Sequence, residues 1–131
     1  MTFTENCYRI FDQSVADYHI DDNVDAPSRQ PYTEGTIEAV LYAKNRIDAV
    51  QWHLEDIIRD PGIDPVAALA LKRRIDKSNQ DRTDMVEELD SYFRTKYADV
   101  KPLADATINT ESPAWALDRL SILALKIYHM Q

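Results

Sequence analysis

The fold is decided by a short stretch near the middle of the chain, Asp60-Pro61-Gly62-Ile63-Asp64-Pro65. Its first half ends the helical pattern before it, because proline and glycine both disfavour helix continuation. Asp64-Pro65 then starts a new helix, with an aspartate as N-cap and a proline at the first helical position. A connection this short folds two long helices back against each other. The stretch therefore predicts an antiparallel helical hairpin.

Apolar residues recur at helical spacing on both sides of this turn and again towards both ends of the chain. Thr2 and Glu5 have capping-box spacing, and Ser112-Pro113 repeats the cap-and-proline pattern before the last helix. Two glycines in 131 residues favour helices over sheets and phosphate-binding loops. We predict an all-α, up-and-down helical bundle built on the long antiparallel hairpin, forming a single helical domain over residues 1–131. Its predicted helices are residues 3–19, 34–59, 65–97 and 113–130.

Charged residues on the hairpin helices predict how the two helices align. With the turn centred near Gly62, basic residues of one helix lie opposite acidic residues of the other. Exposed pairs of this kind stabilise little, about 0–1 kcal/mol each, so their expected role is to fix the register. The predicted pairs are Glu55 and Asp56 with Lys72-Arg73-Arg74, and Lys44 and Arg46 with Asp81 and Asp84.

The chain is acidic overall, with a formal net charge of −8. Nucleic acids and anionic membrane surfaces both require a basic face, so we expect neither as a partner. No apolar run approaches the roughly 18 residues of a membrane span, and no signal peptide is visible. The single cysteine, Cys7, excludes an internal disulfide and fits a reducing compartment. These features predict a cytoplasmic protein.

The last predicted helix is apolar on nearly all sides, from Trp115 to Tyr128. Such a helix requires burial on several sides, and three other helices cover only part of its surface. We therefore expect either a homo-oligomer, or further C-terminal helices missing from this chain that pack on residues 114–130. The second alternative makes the chain a fragment of a longer protein.

Polar residues interrupt the apolar seam of the hairpin and form a candidate binding site. Asn79 and Arg82 fall on the apolar stripe of the third helix, and the turn-centred register places Asn45 and Lys44 opposite them. One interpretation is a structural polar network that fixes helix register. Another is a cleft that binds an anionic or polyhydroxyl ligand, and a third is that these residues are simply exposed. The candidate ligand-binding residues are Asn45, Asp48, Trp52, Asn79, Arg82, Asp118 and His129.

Motifs for metal ions and cofactors are missing from the sequence. None of the three histidines, His19, His53 and His129, has an acid three residues before it, and zinc-ligand spacing is absent. A structural or solvent-exposed role is expected for each histidine. We predict no metal site and no cofactor.

Three blocks of sequence occur in a distinctive order. They are Trp52-His53-Leu54-Glu55-Asp56-Ile57-Ile58-Arg59, then Lys72-Arg73-Arg74-Ile75-Asp76 with Asn79-Gln80, and finally Asn109-Thr110-Glu111-Ser112-Pro113 leading to Lys126-Ile127-Tyr128-His129-Met130. With these blocks the chain resembles the DUF4254 family, bacterial proteins of unknown function. The resemblance implies an all-helical cytoplasmic protein with a link to cell-surface polysaccharide assembly. Family members continue through further helices beyond the last block, and no catalytic residue carries over.

The uncovered surface of the last helix and the lack of a catalytic signature favour a non-enzymatic interaction or scaffold protein. The first alternative is a module that binds a small anionic or sugar ligand, or a transferase accessory protein. The second is a Mg²⁺-dependent all-α nucleotide hydrolase, because Asp81, Asp84 and Glu88 share one helical face.

Overall fold

The computed structural model describes residues 1–131 and contains four α-helices and no β-strand. The all-α bundle predicted from the sequence is confirmed, and each helix end lies within three residues of its predicted position. No helix combines the length and the hydropathy that crossing a lipid bilayer requires. The helices are α1 (Phe3–Asp21), α2 (Ile37–Ile58), α3 (Pro65–Lys96) and α4 (Pro113–His129).

Side chains just before each helix explain where the helices begin. The Thr2 hydroxyl accepts a hydrogen bond from the Glu5 backbone N–H at 3.1 Å, and the Glu5 carboxylate accepts one from the Thr2 N–H at 3.2 Å. This is the capping box expected from the sequence. Thr36, Asp64 and Ser112 cap the other three helices through their side-chain oxygens. Each cap satisfies a backbone donor that would otherwise lack a partner.

The predicted hairpin is formed by α2 and α3. The Gln51 side chain joins them, donating to Asn79 Oδ1 at 2.8 Å and accepting from the Ser78 hydroxyl at 3.1 Å. Asn79 therefore lies beside Gln51 on α2. The turn-centred register placed Asn79 opposite Asn45, which is six positions before Gln51, so the observed register differs from the predicted one.

The predicted ion pairs between α2 and α3 are wrong, because no salt bridge joins these two helices. Arg46 instead donates to the carbonyl of Ala26. Arg74 pairs with Asp25 at 2.7 Å, in the segment before α2. Lys77 pairs with Asp81 at 2.9 Å, one turn along α3 itself. Partners within one turn or in a nearby loop satisfy these charges without fixing the hairpin.

α1 runs in the same direction as α2. The Ser14 hydroxyl donates to the Tyr42 carbonyl at 3.3 Å, and further along both helices the Tyr18 ring stacks on the His53 ring at 4.7 Å. Segment 22–36 allows this arrangement because it can span the roughly 33 Å length of the 22-residue helix α2. The predicted up-and-down alternation therefore does not include α1. The crossover segment 22–36 returns the chain to the end of the bundle where α1 begins, so that α2 runs parallel to α1.

α4 also runs in the same direction as α2. Lys44 contacts Asp118 near the start of both helices, and Trp52 stacks on His129 near their ends. The C-terminal ends of α1, α2 and α4 consequently meet at one end of the bundle. We call this the convergent end.

The core follows the apolar face that the sequence predicts for α1. Burial raises the pKa of the Cys7 thiol to about 11, so this side chain acts as a small hydrophobic residue and not as a nucleophile. α3 contributes far less to the core, burying only Ile75, Val86 and Leu89 of its 32 residues. The buried residues of α1 are Cys7, Ile10, Phe11, Ser14, Val15 and Tyr18.

Two leucines on α3 provide a matched test of this packing. Leu89 is fully buried, whereas Leu69 is 53% exposed. Leu89→Ala should lower the free energy of unfolding by about 2–5 kcal/mol, because it leaves a cavity in the core. Leu69→Ala should change it by less than about 0.5 kcal/mol. Urea unfolding measures both, and equal losses in the two variants would contradict the proposed packing of α3.

Candidate functional site

A fully buried lysine lies at the centre of the polar residues predicted from the sequence. Lys44 on α2 donates from Nζ to Asp48 Oδ2, one helical turn further on, and to Asp118 Oδ1 on α4 at 2.5 Å. Its side chain has no exposed surface, and both carboxylates are nearly as buried. Arg82 on α3 approaches Asp118 Oδ1 to 3.7 Å. Two cations and two anions thus balance inside the bundle, as buried charges require.

Two neutral polar groups complete this cluster, which we call the polar network. Ser121 Oγ donates to Asp48 Oδ2 at 2.7 Å and accepts from Asn45 Nδ2 at 2.9 Å. Burial raises the pKa of Asp48 above its usual range, and the charge and hydrogen bond of Lys44 oppose this rise. The network therefore connects α2 and α4 through hydrogen bonds, and α3 joins it through the ion pair of Arg82 with Asp118.

Of the seven predicted site residues, the structure brings four into the polar network: Asn45, Asp48, Arg82 and Asp118. Asn79 is not among them, because its side chain bonds to Gln51. Lys44 and Ser121 belong to the network but are not among the predicted site residues. Lys44 was placed on the polar seam beside Asn45, whereas the role of Ser121 follows only from the register of α4 against α2, which the sequence does not reveal.

A small cavity opens beside the polar network. Its volume is about 160 Å³. Ligand-binding clefts usually measure about 300–1,000 Å³, so this one suits a few atoms only. Its lining residues are Asp48, Gln51, Trp52, Glu55, Arg82, Ile122 and Leu125.

The remaining predicted residues, Trp52 and His129, belong to a second cluster at the convergent end. His129 meets His19 and His53 there, and the centres of the three rings are 5.2 Å apart in every pair. The planes of the rings cross at 65–68° in every pair. This histidine cluster thus approximates threefold symmetry, and its ligand nitrogens lie within 4.8 Å of one another.

An aromatic ring stacks on each histidine and restricts its orientation. Tyr128 stacks on His19 at 4.2 Å, Tyr18 on His53 at 4.7 Å and Trp52 on His129 at 4.8 Å. The six rings form one continuous stack-and-edge assembly. The stacking restricts the ring centres and ring planes of the three imidazoles.

Hydrogen bonding leaves one nitrogen of each histidine open. The Nδ1 atom of His19 lies 2.8 Å from the Val15 carbonyl, a contact that requires Nδ1 to carry the proton and leaves Nε2 as an electron-pair donor. The Nε2 atoms of His53 and His129 are buried and have no hydrogen-bond partner. Burial lowers the pKa of both residues, and repulsion between positive charges within the cluster lowers it further. Neutral imidazoles of this kind are good metal ligands.

The sequence gives no local sign of this cluster, because its histidines belong to three different helices. Metal motifs are recognised by ligands a few residues apart on one element. His19 and His53 are therefore missing from the predicted site residues. All three histidines lie near predicted helix C-termini. That position brings them together only if the three helices are parallel, which the sequence pattern does not show.

The outer face of α4 carries several exposed apolar side chains. Trp115, Leu123 and Ile127 follow one another along it, and each is more than a third exposed. An open groove of about 530 Å³ runs along this face. Residues from α4 alone form it: Ala116, Arg119, Leu120, Ile122, Leu123 and Lys126.

The carboxylates considered for Mg²⁺ do not assemble into a site. Asp81 is paired with Lys77, and Asp84 accepts a hydrogen bond from Gln80 at 2.9 Å. The histidine cluster is the one group of three or more His, Cys, Asp or Glu side chains arranged closely enough to hold a metal ion.

Two lysines in similar sequence contexts test the polar network. Lys44 and Lys72 each pair with an aspartate four residues on, but the second pair is exposed. Lys44→Met should lower the free energy of unfolding at neutral pH by about 3–5 kcal/mol, because it leaves buried carboxylates without a cation. Lys72→Met should have little effect. Chemical denaturation compares them, and a Lys44→Met variant as stable as Lys72→Met would contradict the network.

Acid should reduce the loss caused by Lys44→Met. An acid whose pKa is higher in the folded state than in the unfolded state favours folding at low pH, and this contribution is lost as the pH rises through the folded-state pKa. Asp48 is such an acid, with an ordinary value of 3.8. Removing Lys44 raises its folded-state pKa further. The stability difference between Lys44→Met and the wild type should therefore narrow from pH 7 towards pH 4, as denaturation at each pH would show. A difference that does not change with pH would contradict this reading.

Comparison with known proteins agrees with the resemblance seen in the sequence. No curated protein and no solved structure matches the chain significantly. The family model described as "Protein of unknown function (DUF4254)" matches residues 38–131. This segment includes α3, α4 and nearly all of α2, with the whole polar network, whereas α1 with His19 precedes it. The match covers most of the chain, which therefore belongs to the DUF4254 family.

Proposed function

We propose that this protein is a cytoplasmic, non-enzymatic interaction protein that associates through the outer face of α4. The observation that carries the proposal is the exposure of Trp115, Leu123 and Ile127 along one helix. Several large apolar side chains exposed along one helix are typical of protein–protein contacts. The buried thiol of Cys7, which has no disulfide partner, is consistent with a reducing compartment.

A second copy of the same chain is the partner that best fits this face. Trp115, Leu123 and Ile127 lie on a ridge of residues spaced four apart, together with Arg119. Ridges of this spacing pack into the matching grooves of another helix at about −50°, so two copies of α4 are self-complementary. With a twofold axis near Leu123, both copies use the same surface, and association stops at a dimer.

The charges on this face are compatible with the same arrangement. Arg119 and Lys126 flank Leu123 on either side, and the groove contains no acidic residue. Helices that cross at about 50° diverge away from the crossing point, so both basic side chains extend into solvent. Crossing at Leu123 therefore buries apolar groups without burying a charge.

The small cavity beside Arg82 supports a second candidate function, binding of a small polar ligand. The Nε atom of Arg82 is buried and has no hydrogen-bond partner, which leaves a donor for such a ligand. We rank it second because the cavity is small and Asp48, one of its two acidic residues, is already engaged by Lys44 and Ser121.

Analytical ultracentrifugation over a hundredfold range of protein concentration tests the first proposal. The wild type should form dimers, and Leu123→Lys should weaken dimerisation at least about tenfold, or 1.4 kcal/mol, because it places a charge at the centre of the contact beside the basic residues Arg119 and Lys126. Leu69→Lys, at a comparably exposed leucine on α3, is the matched control and should dimerise normally. A wild type that remains monomeric at every concentration, or an equal weakening of dimerisation in both variants, would contradict the proposal.

A further inference from the structure

We propose that His19, His53 and His129 form a binding site for a divalent transition-metal ion of the Zn²⁺ type at the convergent end of the bundle. This inference is independent of association through α4. It concerns a set of side chains that the interaction face does not use.

The spacing of the rings fits tetrahedral coordination. A metal ion held at about 2.1 Å by three imidazole nitrogens places the ring centres about 5.2 Å apart if its geometry is tetrahedral, and about 4.5 Å apart if it is octahedral. The observed spacing is 5.2 Å for all three pairs. The nitrogens, within 4.8 Å of one another, need to approach to about 3.4 Å. Because the ring centres already have the required spacing, turning the rings inwards achieves this.

Unpartnered nitrogens provide the ligands. Nε2 of His53 and Nε2 of His129 are buried without a hydrogen-bond partner, an arrangement that costs free energy unless something binds them. His19 has its Nδ1 proton directed at the Val15 carbonyl, which resembles the second-shell contact that orients metal-binding histidines. All three residues can therefore offer Nε2 to one central ion.

The electrostatic environment favours a cation at this position. His19 and His129 lie in the last turns of α1 and α4, and α2 ends at the same end of the bundle. Helix C-termini carry partial negative charge, and here three of them point the same way. Asp22 and Asp56 follow His19 and His53 by three residues and add negative charge within one turn. Because the ligands themselves are neutral, these groups supply the charge that compensates the ion.

The donor set selects the class of metal. Three imidazole nitrogens suit Zn²⁺ and neighbouring first-row ions, whereas Mg²⁺ and Ca²⁺ prefer oxygen ligands. Three protein ligands fill three of the four tetrahedral positions. The fourth is left for water or another small ligand, as in zinc sites that are not purely structural.

The first experiment uses the full chain, freed of metal by a chelator, and adds Zn²⁺, Co²⁺ or Mg²⁺. Zn²⁺ should raise the melting temperature by mass action, and Mg²⁺ should not. Co²⁺ should produce the intense visible absorption bands of a tetrahedral complex. Weak bands typical of octahedral Co²⁺, or equal effects of Zn²⁺ and Mg²⁺, would overturn the proposal.

The second experiment identifies the ligands directly. The chain contains only three histidines, so nitrogen NMR of the imidazole rings reports on each of them without any substitution. Zn²⁺ should shift Nε2 of all three residues to values typical of a coordinated nitrogen, while Nδ1 of His19 keeps its proton. Coordination of fewer than three rings would overturn the three-histidine site.

Single substitutions give the affinity of the site. His19→Asn, His53→Asn and His129→Asn should each weaken Zn²⁺ binding, measured by competition with a chromophoric chelator, by more than the roughly 10–100-fold expected for loss of an outer-shell partner. Asp81→Asn, which alters an exposed carboxylate on α3, is the control and should bind Zn²⁺ as the wild type does. Unchanged affinity in the three histidine variants would place the ion elsewhere and overturn the proposal.

Discussion

The burial of the Lys44 ammonium group is the constraint on which the arrangement of the helices depends. A charged group enters a protein interior only with partners that replace its water, and Lys44 has no exposed surface. Asp48 supplies one partner from the same helix, but Asp118 comes from α4. This requirement fixes the position of α4 along the axis of α2. The position of α4 then determines both where His129 falls and which of its faces remains uncovered.

The features predicted correctly from the sequence depend on residues close together in the chain. Thr2 with Glu5 and Asp64 with Pro65 act within three residues, so helix starts can be recognised without knowing the fold. The apolar face of α1 follows from helical periodicity alone. The polar interruption of the hairpin seam was recognisable as well, because Arg82 falls on the apolar stripe of α3, whereas Asn45 was reached through a register that the structure does not have.

The features that were missed depend on how distant segments align. Ion pairing did not reveal the hairpin register, because lysines of α3 found aspartates one turn away on the same helix and Arg74 found Asp25 in a loop. The direction of α1 was missed for a related reason. Alternation is the usual outcome of short connections, but segment 22–36 is long enough to return along the full length of α2. Its length was the available signal, and with it the three histidines could have been placed at one end.

The distribution of residues around α4 unites its two proposed roles. This helix directs two polar residues, Asp118 and Ser121, into the bundle among buried apolar ones and leaves Trp115, Leu123 and Ile127 outside, which an ordinary amphipathic surface helix does not do. The inward polar groups are satisfied by the polar network, so only the outward apolar groups lack partners. Covering them stabilises the helix by roughly 25 cal/mol for each Å² removed from water.

The same helix carries His129 two residues after Ile127, so the metal ligand and the apolar ridge share its last turn. An ion held by α1, α2 and α4 at the convergent end restricts the motion of that turn. Association through Ile127 must also order this last turn. Once one binding event has ordered the turn, the second does not incur the same cost in free energy. Metal binding and association through α4 should therefore favour each other, and by linkage the effect must be equal in both directions. Leu123, at the centre of the contact, lies a full turn earlier on the helix. The coupling therefore acts through Ile127 at the end of the ridge, and the centre of the contact is the same with and without the ion.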